Sequence, residues 1–152
     1  MPHFTEPTRL IRHMSGCETL ATCFVVRALK VYAKRVRSAA EADLSVSIPS
    51  EHAGAWKRVA KTVFGRLEAA SIRGDRLDDA FFATLSTHAT DAECIERFVA
   101  RALHNYAKHV AAMPVSRISH SLRGIDATQW HAVAQRAAET LAYLAAFDEV
   151  PA

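Results

Sequence analysis

The feature that most constrains this chain is a match with itself. The segment Phe24-Val-Val-Arg-Ala-Leu-Lys-Val-Tyr-Ala-Lys-Arg-Val36 aligns with Phe98-Val-Ala-Arg-Ala-Leu-His-Asn-Tyr-Ala-Lys-His-Val110. The same offset then pairs Ser45 with Ser119, Ser47 with Ser121, Trp56 with Trp130, Val59 with Val133, Ala60 with Ala134 and Leu67 with Leu141. Between residues 17–73 and 91–147 about 16 of 57 positions are identical without a gap, against roughly 4 for unrelated sequences. Two amphipathic helices can look alike by chance. Two tryptophans in register beyond a dissimilar loop are harder to obtain that way, so the chain reads as one structural unit used twice.

The unit reads as helix, loop, helix. Ser15 with Glu18, and Thr90 with Glu93, have the spacing of capping boxes, in which side chains satisfy the free amides of a first turn. The second helix of the unit opens near Ser50 and carries Trp56, Val59, Ala60, Val63 and Leu67 on one stripe. Its counterpart opens at Asp126, with Gln129 as capping partner, and carries Trp130, Val133, Ala134, Ala137 and Leu141. Pro114 ends the first helix of the second copy, and Gly74 closes the first copy. The expected fold is an all-α bundle of two tandem helix-loop-helix repeats with a pseudo-twofold four-helix core. Repeat 1 spans about 15–74 and repeat 2 about 90–148 of a single domain, residues 1–152. A connector at 75–89 reads as a short helix packed through Leu77, Phe81, Phe82 and Leu85.

At 152 residues the chain is long enough to close one hydrophobic core without disulfides or a structural metal. Cys17, Cys23 and Cys94 fall among apolar helical neighbours and read as buried thiols, and a spacing of six between the first two is not that of a zinc pair. The most apolar run, Leu20 to Val26, is too short to span a membrane, and the first residues lack the apolar centre of a secretory signal. A cytoplasmic protein with no membrane partner is expected.

The net charge of +3 is unevenly spread. Residues 1–76 hold 13 Lys plus Arg against 7 Asp plus Glu, and residues 77–152 hold 6 against 9. On a helical wheel Leu20, Phe24, Val25, Ala28, Leu29, Val31, Tyr32 and Val36 share one half of the first helix, while Arg27, Lys30, Lys34 and Arg37 share the other. A stripe of this kind suits phosphates or an acidic partner, although a solvated helix back has the same composition. In the second copy the stripe thins to Arg101, His104, Lys108 and Ala111, leaving Arg27, Lys34, Arg101 and Lys108 as the cations both copies hold. Tyr32, Tyr106, Trp56 and Trp130 lie on apolar faces and read as core rather than as stacking platforms.

Catalytic signals are sparse. No nucleophile elbow and no glycine-rich phosphate loop is present, and Asp78 with Asp79 reads as favourable charge at a helix start. Among His88, His104, His109, His120 and His131, the pair His104 and His109 misses a common helix face by about 100°. The string His120-Ser-Leu-Arg-Gly124 resembles the His-x-Leu-Lys-Gly motif of histidine phosphotransfer domains, which are four-helix bundles. That resemblance would make His120 the phosphoacceptor, Arg123 its cationic neighbour in place of Lys, and Gly124 the small residue that admits a receiver partner. The match covers five residues, and about 28 residues follow Gly124, enough for one long helix rather than the two that family needs.

These residues lead to a small helical protein-interaction or regulatory module, of bacterial or phage type, with no evident catalytic site and no cofactor or metal. Arg27, Lys30, Lys34, Arg37, Lys57, Lys61, Arg101 and Lys108 are its candidate partner or anion contacts. A protein partner is expected, with nucleic acid on the basic face of the first repeat as the alternative, phosphotransfer through His120 and Arg123 as a further one, and a homodimer compatible with all three.

Overall fold

A computed structural model describes residues 18–74, 81, 92–121 and 126–141; the side chains of residues 18, 19, 92, 93, 96 and 119–121 also stand outside the description. The described residues form six helices and no strand: α1 (Glu18–Ser38), α2 (Glu41–Ser47), α3 (Ala53–Arg73), α4 (Ala92–Ala111), α5 (Val115–Ser121) and α6 (Ala127–Thr140). The first residues of α4, α5 and α6 each lie 74 positions beyond those of α1, α2 and α3.

The expected loop inside each unit holds a short helix. In α2, Glu41 and Asp43 sit in the first turn, where carboxylates favour the helix dipole. The hydroxyls of Ser45 and Ser47 donate back to the carbonyls of Glu41 and Asp43 at 3.0 and 2.9 Å. Leu44 is the buried residue that pins α2, and Ile118 takes the equivalent place in α5. One apolar anchor in seven residues is too weak a periodicity to distinguish from a loop.

The second helix of the first unit begins at Ala53, later than expected. His52, not Ser50, caps it, its Nδ1 accepting from the Ala55 amide at 3.1 Å. Asp126 caps α6 as expected, accepting from the amides of Thr128 and Gln129 at 3.0 and 3.1 Å. Gly74 ends α3 at φ 72°, the left-handed conformation that glycine adopts without strain. The capping boxes at Ser15 and Thr90, and the connector apart from Phe81, lie outside the described residues. Phe81 is helical and packs half-buried on the core.

Helix α1 packs on α3 and α4 packs on α6; α1 and α4 meet in the middle, α2 caps α3, and α5 caps α6. Phe24 lies against Tyr106 and Tyr32 against Phe98, so α1 and α4 run antiparallel. Six rings form two triads in the core. Trp56 touches Tyr32 and Phe98 at centroid distances of 6.5 and 5.2 Å, while Trp130 touches Tyr106 and Phe24 at 6.3 and 5.0 Å. Tyr32 to Phe98 is 5.0 Å and Tyr106 to Phe24 is 5.1 Å. Each triad takes its tyrosine and tryptophan from one half of the sequence and its phenylalanine from the other. Both tryptophans and both phenylalanines are 0% exposed. At about 25 cal/mol per Å² and about 150–250 Å² per ring, each such residue contributes several kcal/mol of burial, so neither half has a complete core without the other.

The two triads differ in one bond. Trp56 Nε1 donates to the Tyr32 hydroxyl at 3.0 Å. Trp130 Nε1 is buried with no hydrogen-bond partner among the described residues. The Tyr106 hydroxyl sits close enough to be influenced by that indole, but hydrogen-bond geometry is not reached.

Candidate functional site

Along the α1–α4 seam, Ala28, Tyr32 and Arg35 follow the spacing that keeps residues on one side of a helix, and Ala102, Tyr106 and His109 repeat it. Alanine is too short to fill the space between two antiparallel helices. A cleft of about 100 Å³ results, lined by Ala28, Val31, Tyr32 and Arg35 of α1 and by Ala102, Asn105, Tyr106 and His109 of α4. The two sets are four pairs of residues 74 positions apart.

The rim is exposed and carries donors. Arg35, Asn105 and His109 are exposed, and Val31 is 47% exposed although the wheel put it on the apolar half. Its direction lies at the margin of the buried arc, where α4 does not reach across to cover it. After Glu18 in α1 and after Glu96 in α4, neither helix contains an Asp or Glu. The outer surface of the pair therefore holds Arg27, Lys34, Arg35 and Lys108 with no carboxylate of either helix among them.

Local electrostatics agree with this placement. Burial raises the Tyr32 hydroxyl above its ordinary range, while the bond from Trp56 and the charges of Arg101 and Arg35 pull it back. Burial also raises Tyr106, with the Trp130 indole and the charge of Arg27 opposing. Buried His104 is held below the ordinary imidazole range by its burial first, then by the charge of Lys108, with a hydrogen bond to Asn105 opposing. It is a core residue in its neutral form, while His109 faces the cleft.

The expected contact residues fall into two groups. Arg27, Lys34, Lys61 and Lys108 are exposed, and Lys30 is half-exposed. Three others also serve the framework: Arg37 stacks over the Phe64 ring at 4.7 Å, Arg101 lies half-buried over Trp56 at 5.9 Å, and Lys57 Nζ donates to the Ala39 carbonyl at 2.6 Å. Arg97 joins the framework as well. Its Nε and Nη2 donate to the Glu51 carboxylate at 2.5 and 3.0 Å, and that carboxylate side chain is 4% exposed. This bidentate pair ties the turn before α3 to α4 and lies within the electrostatic reach of Arg101.

His120 belongs to the seven-residue α5, its side chain outside the description, and Arg123 lies outside the described residues. His131 Nε2 is 3.1 Å from the Ala111 carbonyl and links α6 to the end of α4. Cys94 is buried and Cys23 half-buried, neither of them in a disulfide, while Cys17 is outside the description. Among the described residues no group of three His, Cys, Asp or Glu converges as a metal would need, and no helix is long and apolar enough to cross a membrane.

Sequence reasoning passed over Arg35 and Asn105, and weighed His109 only as a metal ligand. The available signal was their seam spacing: a polar residue seven positions after a small one, repeated at the same offset. Comparison with protein-family models, with curated proteins and with solved structures gives no match to this chain.

Proposed function

We propose that this chain is a helical interaction module, built by tandem duplication around a pseudo-twofold four-helix core, that docks an acidic protein partner on the α1–α4 face. The duplication is supported by helix starts that repeat at one offset and by two ring triads with matching distances. One observation carries the docking face: Arg35 lines an open cleft beside a half-exposed Val31, and the same two helices expose Arg27, Lys34 and Lys108 while holding no carboxylate after Glu18 and Glu96. Like charges left in proximity repel one another and attract a counter-charged surface, which brings specificity and rapid association. An exposed apolar residue among them favours a protein over a phosphate backbone. Single-strand binding draws on exposed aromatics for stacking, and here Tyr32 and both tryptophans are buried.

The test is retention of partners from extracts of the source cells on the immobilised full chain. Lys34→Glu with Arg35→Glu and Lys108→Glu is compared with Arg58→Glu and Lys61→Glu on α3. A nuclease-resistant protein partner should be kept by the wild type and by the α3 variant and lost by the α1–α4 variant. Recovery of nucleic acid, with affinity falling steeply in salt and weakened by both variants, would favour instead the nucleic-acid alternative on the basic face of the first repeat, the stripe Arg27, Lys30, Lys34 and Arg37 with Lys57, Arg58 and Lys61.

A further inference from the structure

The seam cleft is too small for the ligands that clefts on proteins most often hold. Sites for nucleotides, cofactors and drug-sized molecules run from roughly 300 to 1,000 Å³, whereas this one measures about 100 Å³, a volume on the scale of one side chain. Its floor is the methyl groups of Ala28 and Ala102, its walls are the rings of Tyr32 and Tyr106, and its rim bears Arg35, Asn105 and His109. Because α1 and α4 run antiparallel, Arg35 stands beyond Tyr32 at one end of the cleft and His109 beyond Tyr106 at the other; with Asn105 they offer N–H donors along its length, and none of them is anionic. Val31 adds an apolar lip, half exposed beside the cation.

We infer that the cleft receives a single Asp or Glu side chain from an acidic helical segment of the partner, with Arg35 holding its carboxylate and His109 and Val31 contacting the flanking residues. The inference rests on the docking reading above and names its anchor. Arg35 suits the role because its planar fork matches a carboxylate with two parallel bonds, which a lysine cannot do. The long cations Arg27, Lys34 and Lys108 are exposed on the same two helices and are not part of the cleft lining, so they steer the acidic segment while the cleft sets its register.

Amide NMR titration of the full chain tests this with defined probes. The first is a capped helical peptide with glutamates one turn apart on a leucine face, and the second is the same peptide with every glutamate replaced by glutamine. Inorganic phosphate and an oligothymidylate are the third and fourth. The glutamate peptide should produce its largest saturating shifts at Val31, Arg35, Asn105 and His109, the glutamine peptide should produce none there, and Arg35→Ala should weaken binding about tenfold while Arg35→Lys restores only part of it. Shifts spread over Arg27, Lys34 and Lys108 without a maximum in the cleft would overturn the anchor and leave the docking face standing. Tighter or equal occupation of the cleft by phosphate or the oligonucleotide would overturn the carboxylate assignment, as would no response to the glutamate peptide at several millimolar.

Discussion

Replacing each tryptophan in turn by phenylalanine separates packing from hydrogen bonding within one molecule. Trp56 and Trp130 have the same burial and the same kinds of ring neighbours at nearly the same distances, but among the described residues only the Trp56 N–H has a hydrogen-bond partner. The smaller ring costs both sites the same contacts and leaves the same void, about 2 kcal/mol on the scale of large-to-small core changes. Trp56→Phe also loses the bond to Tyr32, about 1 kcal/mol, whereas Trp130→Phe removes a buried donor that was unmatched, which returns at least about 1 kcal/mol. The expected losses are about 3 kcal/mol for Trp56→Phe and about 1 kcal/mol for Trp130→Phe. Urea unfolding followed by far-UV circular dichroism measures both with one probe, and the gap should separate the midpoints by roughly 1 M. Equal losses, or a larger loss at Trp130, would refute the claim that the two triads differ by this bond.

Three further outcomes follow from other positions. Gly65→Ala should stabilise the protein by about 0.5–1 kcal/mol, because Gly65 lies inside α3 with open space where a Cβ would go, whereas Gly74→Ala at φ 72° should destabilise by about 1 kcal/mol; thermal melts of the two should move in opposite directions. Asp126→Ala should cost about 1 kcal/mol by freeing the amides of Thr128 and Gln129, read as a lower urea midpoint, and Asp126→Asn should recover most of it. Folding holds His104 below its ordinary 6.5, so on acidification the unfolded chain takes up the proton first. Stability is then full above about pH 6.5 and falls below it until the native imidazole protonates too, so between about pH 7.5 and about pH 5 the wild type should lose more stability than His104→Gln.

Much of this all-helical fold is legible in the sequence because the self-match at an offset of 74 converts a weak local signal into a strong one. The apolar stripe through Trp56 and Leu67 is ordinary alone; seen again at Trp130 and Leu141 it identifies which faces turn inward, and all four residues are buried. The short helices α2 and α5 escaped because single anchors, Leu44 and Ile118, create no period. His52 escaped as a cap because its imidazole nitrogen does the work that Ser, Asp or Asn side chains usually do. At the candidate site, the wheel separated cations from apolar residues correctly for Arg27 and Lys34. It could not reveal that α4 would lie antiparallel across α1, and without that neighbour nothing relates Arg35 to His109 and Val31 belongs to the core. A second helix decides which margin of the first stays open, and that information is not local to either segment.

The arrangement of the two halves is most directly measured by pulsed electron-electron resonance on spin labels at four exposed positions, Lys34, Arg58, Lys108 and Ala132, in a background without other cysteines. A twofold relation exchanges Lys34 with Lys108 and Arg58 with Ala132, so the distance from 34 to 58 should equal that from 108 to 132, and the crossed distance from 34 to 132 should equal that from 58 to 108. Equality in both comparisons is the predicted result. Matching distances within each half but unequal crossed distances would mean two similar units related by some other operation, and the shared α1–α4 face would lose its basis.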